Sequence, residues 1–402
     1  MWNFLKQKTI YFDHAATTPI DTKVLSVMNH VYQNNYFNPG ALYASGIITA
    51  QIIQESRKKV AQLLGTTSDH IIFTRGGTES CNLGIIGTLE KSGREKPHVI
   101  ASAIEHSAVL ETLKDLDAKK QIELSIIPVD EQGIVIVDEI KKTLRPETVL
   151  VSIMYVNNEI GTIQPIKEIT KLVRWYKKQN ELKLYPLVHT DAIQATNYLD
   201  INVERLGVDL MSLSGSKIYG PKSSGVLYVR NRVLLGSIFH GGDQEFGLRA
   251  GTEDVAQIVG FTKALEIARS QAEQESLRLQ KLQTFFFAEL QKYIPDMIIN
   301  GGRDHLRIPN NINITIPGVS GERLVIELDA KGIYAASKSA CKEDNGEASH
   351  VIAAIRPDHQ TTDGAVRFTM GRSTQKVDIS RVVGELAKIV NKIKVFEDVL
   401  TY

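Results

Sequence analysis

Between about residues 50 and 230 the chain alternates short apolar runs with amphipathic stretches, and this alternation narrows the possible folds more than any other feature. The runs are HIIFT (70–74), HVIAS (98–102), VLVSIMYV (149–156), YPLVHTD (185–191), DLMSLSG (209–215) and GVLYVR (225–230). All are of strand length. Between them, HSAVLETLKDLDAK (106–119) and PIKEITKLVRWYKKQ (165–179) carry helical periodicity, the second with Pro165 suited to a first helical position. Strand and helix in alternation predict an α/β fold, a mostly parallel sheet flanked by helices on both faces. In such sheets ligands bind beyond the carboxyl ends of the strands.

After Gly251 the texture changes. A helical pattern runs from about Glu253 to Tyr293, followed by NINITIP (311–317), a polar segment around Cys341, AVRFTMG (365–371) and a closing helix near 379–393. This part reads as a smaller α+β domain, with Pro295 and NGGRDH (300–305) marking irregular chain. The 402 residues suffice for two packed domains. The expected division is 16–258 for a large domain, with 1–15 and 259–402 forming a small one. A net charge of +1 gives no bulk reason to propose nucleic acid or an anionic membrane as partner. Two cysteines build no disulfide framework, MWNFLKQKTIYF does not read as a secretory signal, and TVLVSIMYV is too short to span a bilayer. A cytoplasmic protein is expected.

Polar residues gather where each predicted strand ends. HIIFT runs into RGGTES, where Gly76 and Gly77 let the backbone approach a ligand and Thr78 suits a helix N-cap; this is either a phosphate cradle or a bare turn. HVIAS runs into AIEHSA with His106, a catalyst or a hydrogen-bonded structural residue. The next strand ends in NNEIG, whose Asn157 and Asn158 would also serve a plain turn. Asp191 and Gln194 leave YPLVHTD together, and an acid there is costly unless something basic meets it. SLSGSKIYGPK (212–222) is the most informative stretch. It sets Lys217 after Ser214 and Ser216 at the end of an apolar strand, where an amine that loses its charge can form a Schiff base. A Schiff-base lysine, an acid one strand back and a phosphate cradle together indicate pyridoxal 5′-phosphate (PLP).

At this point the sequence resembles the cysteine desulfurases, in the class V aminotransferase group of fold-type-I PLP enzymes. The resemblance runs through YFDHAATTP (11–19), NP (38–39), FTRGGTESCNL, EHSAV, VNNEIG, HTDAIQA, SLSGSKIYGPK, GGDQEFGLRAGTEDV, SKSAC and VRFTMGR in that order. It implies a seven-stranded sheet in the large domain and a role for each matching position. Lys217 matches the Schiff-base lysine and Asp191 the carboxylate at the pyridine nitrogen. Gln194 and Asn158 match residues near the ring hydroxyl. Thr78, Ser214 and the backbone at Gly77 match phosphate ligands, with Ser216 beside them. His106 matches an imidazole that stacks on the ring and shuttles protons. Arg367 matches the arginine that grips the substrate carboxylate, with Asn38 helping. Thr252 matches a residue that reaches the neighbouring subunit's phosphate, implying a homodimer with shared sites.

Cys341 matches the catalytic cysteine, whose thiolate attacks the sulfur of L-cysteine, leaving alanine and a persulfide. The polar stretch KEDNGEAS after it resembles the long-loop branch, which passes sulfur to separate acceptor proteins: an iron–sulfur scaffold or a tRNA thiolase. His106 and Lys338 are the candidate cations beside the thiol. Three positions depart from the family pattern: Ser216 stands where a histidine is usual, Arg75 where a small residue is usual, and charged residues surround Cys341. Cys81 reads as a buried packing residue or a thiol activated by a helix start. Tyr11, Phe12 and FFF (285–287) read as core or interface. No metal-ligand spacing is present, so no metal is expected. Two other readings stand beside the desulfurase: a class V aminotransferase or related lyase for another amino acid, and a non-catalytic scaffold. A thiol at 341 argues against the first, and Lys217, Asp191, His106 and Arg367 together against the second.

Overall fold

A computed structural model describes residues 9–337, 349–356 and 364–400. In chain order the elements are β1 (Ile10–Tyr11), α1 (Thr22–Asn34), α2 (Ala44–Leu64), β2 (Ile71–Thr74), α3 (Gly77–Lys91), β3 (His98–Ser102), α4 (Ser107–Ala118) and β4 (Glu123–Ile127). Then come α5 (Val137–Thr143), β5 (Thr148–Ser152), α6 (Ile166–Gln179), β6 (Leu187–Asp191), α7 (Val203–Leu206), β7 (Leu210–Ser214) and β8 (Gly225–Val229). The chain closes with α8 (Val255–Tyr293), β9 (Ile298–Ile299), β10 (Asn311–Thr315), α9 (Gly321–Asp329), β11 (Ile333–Tyr334), α10 (His350–Ile355), β12 (Ala365–Thr369) and α11 (Lys376–Leu400).

Seven strands form one sheet in the order β2-β8-β7-β6-β5-β3-β4. All pairs are parallel except the two that β8 makes. Successive residues face opposite sides: Ile71 and Phe73 enter one core while Ile72 enters the other, as do Val226 and Tyr228 against Leu227 and Val229. Helices cover both sides, so the central strands are buried throughout and mostly apolar, and their polar residues are paired, as His189 is with Ser212 at 2.9 Å. Strand β4 escapes that reading. It is the edge strand, its first four residues are partly exposed, and Glu123 and Ser125 break the run.

Two sequence-based expectations about helix starts shift. Gly76, at φ +131°, caps α3, and the helix begins at Gly77, so Thr78 lies in the first turn instead of capping it. The glycine pair turns the chain earlier than a capping threonine would. Pro165 occupies the cap of α6 instead of its first turn.

A second core lies around the antiparallel sheet β12-β10-β9 and the parallel pair β1-β11. Phe12, Phe286 and Phe368 meet in it with ring centroids 5.5–6.3 Å apart. The long helix α8 contributes to both cores: Val255 to Ala268 pack against the large sheet, and Leu279 to Leu290 against the small one. No helix among the described residues is long and apolar enough to cross a membrane.

Candidate active site

The carboxyl ends of the large sheet open into a cavity of about 470 Å³. Gly77 and Thr78 reach it from the first turn of α3, His106 from the cap of α4, and Asn158 from the turn after β5. Asp191 ends β6, Gln194 follows it, and Ser214, Ser216 and Lys217 come from the end of β7 and its short 3₁₀ turn. Arg367 enters from β12 of the second sheet. Thus residues scattered over nearly three hundred positions converge, as the parallel sheet requires.

The cavity discriminates sharply by charge. Arg75, Lys217, Lys222 and Arg367 line it, against the single acid Asp191. Burial pushes the Asp191 carboxyl up to about 6, while a hydrogen bond from Ile193 N at 2.9 Å and the charge of Lys217 pull the other way. Asp191 is therefore ionised at neutral pH and 5% exposed, an acid held ready for a cationic partner. Lys217 donates to the Ala16 carbonyl. Ser214 and Ser216 hydroxyls lie 3.1 Å apart.

His106 Nδ1 accepts the Ala108 N–H at 3.1 Å. That bond puts the proton of the neutral ring on Nε2. Burial, with Lys217 and His350 beside it, pushes the imidazole down to about 4, so it is neutral at physiological pH. Gln194 Nε2 donates to Ala15 O at 3.0 Å.

Arg367 is held at two points: Nη2 on Asp13 Oδ1 at 2.7 Å and Nη1 on the Asn158 carbonyl at 3.0 Å. Its side chain is 3% exposed, and Nε has no hydrogen-bond partner among the described residues. Arg367 lines the cavity, and a guanidinium fixed in this way offers a fork for a carboxylate.

Some sequence candidates stay outside this cavity. Thr252 is exposed and absent from its lining, as is Asn38, whose Oδ1 accepts Gly40 N at 2.8 Å. Cys341 and Lys338 lie outside the described residues. Cys81 is fully buried behind the site, its sulfur 4.0 Å from Asp191 Oδ2, and burial raises its thiol well above the usual range. It is not an activated thiolate. Among the described residues no cluster fit to hold a metal ion is present.

The structure adds residues that sequence reasoning passed over. Asp13 is the partner of Arg367. Glu105, fully buried, accepts from Ser102 Oγ at 2.5 Å and Met154 N at 2.9 Å, and burial pushes its carboxyl up to about 8. The available signal was a charged residue directly after an apolar run and directly before His106. Glu159 accepts from Ser349 Oγ at 2.5 Å, and His350 Nε2 meets the Glu105 carbonyl at 3.0 Å.

The residues fit PLP. Gly76 and Gly77 both line the cavity, and a Cβ on Gly77 would come within 2.2 Å of Ile193 Cδ1, so only glycine lets α3 start this close to the turn after Asp191. The α3 start beside it offers free N–H groups for phosphate, and Asp191 and Lys217 lie where a ring nitrogen and an aldehyde would be met.

The aminotransferase class-V family model matches residues 10–382. A cysteine desulfurase IscS of Dictyoglomus turgidum is 41% identical over 388 residues, 96% of each chain. One of Methanosarcina thermophila is 40% identical over 389 residues, covering 97% of this chain and 94% of the relative. Among solved structures, a NifS-like protein superposes with a TM-score of 0.87 at 33% identity, over 95% of this chain and 99% of that one. The class is thus that of PLP-dependent enzymes of fold type I. Within it, the chain belongs to the cysteine desulfurase family.

Proposed function

We propose that this enzyme removes sulfur from L-cysteine, releasing L-alanine and leaving a persulfide on Cys341. Acceptor proteins of iron–sulfur assembly or tRNA thiolation then collect it in the cytoplasm. The observation that carries the reading is the single cavity in which a lysine, a buried acid, a backbone cradle and a half-satisfied arginine converge.

PLP, when bound, supplies an electron sink for charge at the substrate α-carbon. Lys217 would hold the cofactor through its amine, which could also take a proton from the substrate α-carbon. Asp191 holds the ring nitrogen protonated, and burial keeps water from competing for it. Thr78, Ser214, Ser216 and the Gly77 backbone bind the phosphate, with Asn158 and Gln194 at the ring hydroxyl. His106, which lines the cavity and holds a proton at Nε2, would lie against the ring. Arg367 fixes the substrate carboxylate and, with it, the direction in which the sulfur points; Asn38 assists. Both described flanks of the segment that carries Cys341 are fastened to the site. Ala336 N donates to Arg367 O at 3.1 Å, and Ser349 and His350 are bonded to Glu159 and Glu105.

A homodimer completes this reading. Tyr36, Leu42, Tyr43, Ile47 and Ile48 are each 49–94% exposed in one stretch of chain, an apolar surface that a second copy would cover. Thr252, exposed and away from its own cavity, serves the neighbour's phosphate.

The test incubates purified protein with L-cysteine and reductant and quantifies alanine and sulfide, for wild type and Cys341→Ala. Both products from wild type, and neither from the variant with PLP still bound, are expected. Equal alanine from the two would remove Cys341 from the chemistry. No turnover by the PLP-loaded wild type would favour another amino acid as substrate.

A further inference from the structure

The segment Asp243–Thr252 contains three consecutive residues at positive φ: Glu245 at +50°, Phe246 at +63° and Gly247 at +72°. Glycine takes this conformation freely, but two side-chain-bearing residues in a row persist there only when the surroundings over-determine them. Glu245 supplies that determination. It is 5% exposed, and its oxygens accept Arg57 Nη1 at 2.6 Å, Arg57 Nη2 at 2.7 Å and Phe73 N at 2.8 Å. Arg57, equally buried, also donates to Ile71 O at 2.7 Å and lies between the Phe73 and Phe246 rings, 4.9 and 5.0 Å from their centroids. A second strut joins Arg249 Nε to Glu79 Oε1 at 2.8 Å.

Both struts end on the chain's own phosphate cradle. Phe73 lies in β2, which leads into it, and Glu79 directly follows Thr78. The segment nevertheless leaves Thr252, three residues past Arg249, exposed and outside its own cavity. A buried ion pair is poor evidence for stability, since apolar residues would stabilise as well. What directed bonds add is a fixed register. Here the register fixed is that of a strained turn whose Thr252 does not line its own cavity.

We infer that Arg57 and Glu245 are positioning residues that set the 243–252 segment for the cofactor site of a second copy of this chain. The pair is anchored on the chain's own β2, but what it sets is the segment offered to the partner. This rests on the shared-site homodimer.

The test uses hybrid dimers of full-length chains carrying different tags. Cofactor-depleted Glu245→Gln homodimers should bind PLP about tenfold more weakly, the factor that one lost hydrogen bond to a charged group carries. In a hybrid with Lys217→Ala, the one site that retains Lys217 receives the intact segment of the other chain. PLP fixed to Lys217 by borohydride counts that site alone, and its affinity should return to the wild-type value. A hybrid as weak as the Glu245→Gln homodimer would overturn the inference, as would a homodimer that binds PLP like wild type. If Glu245→Gln fails to fold around its stranded guanidinium, the Arg57→Met, Glu245→Met double variant, which removes both charges, takes its place. Thr252→Val hybrids run in parallel separate the two ideas. If they are not restored, the shared site itself fails; if they are restored and the Glu245 hybrids are not, only the clamp does.

Discussion

The two cores build their parts of the site by different means. The large sheet delivers the cofactor-binding candidates from strand ends whose positions follow from the sheet itself: β2, β3, β5, β6 and β7 each contribute residues just past their last strand position. The small sheet delivers only Arg367, from inside β12, paired in register with Asn313. It meets the first core through the Asn158 carbonyl on Arg367, through the Thr162–Arg307 bridge, and through Ala365 of β12, which packs into that core. The cofactor half is thus preformed within one rigid element, whereas the substrate grip depends on how two cores meet. A perturbation on the first side should abolish chemistry. One on the second should loosen binding.

Replacing Lys217 by Ala should cost about 10⁴-fold or more in kcat, beyond what an ordinary acid–base catalyst is worth, because attachment and proton transfer vanish together. Dialysis should also strip PLP from the variant, and single-turnover kinetics with PLP restored gives the ratio. Arg367→Ala should fall mainly on KM, by about 10²-fold, since losing one partner of a buried charge pair costs roughly 2–5 kcal/mol. Arg367→Lys should not rescue it, because an ammonium cannot span Asp13, the Asn158 carbonyl and a carboxylate together. If kcat drops and KM holds, the division between the two cores is wrong.

Glu105 gives a pH test confined to the first core. Its carboxyl is raised from 4.5 to about 8 by burial. The protonated form therefore contributes stability that is fully present below pH 4.5 and lost as pH rises through about 8. Cofactor-depleted Glu105→Gln should match wild type near pH 4.5 and be the more stable protein at pH 8, read by denaturant titration at both values. Identical pH profiles would mean that Glu105 is ionised in the folded state. The smallest effect should come from Cys81→Ala. The residue packs behind Asp191, so stability should fall by about 1 kcal/mol with kcat nearly unchanged. A large loss of activity would give Cys81 a task that its raised thiol pKa argues against.

Much of this was legible in order along the chain. β3 appears in the sequence with its observed limits, and β6 and β7 within two residues, because both faces of the sheet are covered and the strands are therefore mostly apolar. Asp191 and Lys217 announced themselves as charges at the ends of such runs. Edge strand β4 was not legible, since half-exposure allows Glu123 and Ser125. Asp13 carried no local signal either: nothing at position 13 says that Arg367 will lie 2.7 Å away.

The sequence by itself determined the layered α/β architecture, the candidates for holding a cofactor and, through its ordered motifs, the family. Those depend on local periodicity and on residue types that a strand end must tolerate. Tertiary structure decided what depends on distance between remote segments. It neutralised His106 by burial, turned its proton to Nε2, and fixed Arg367 at the cavity on Asp13 and the Asn158 carbonyl. It also buried Glu245 against Arg57 while leaving Thr252 exposed. Burial and hydrogen-bond direction arise only once the two cores are packed together, because only then do desolvation and neighbouring charges act on each group.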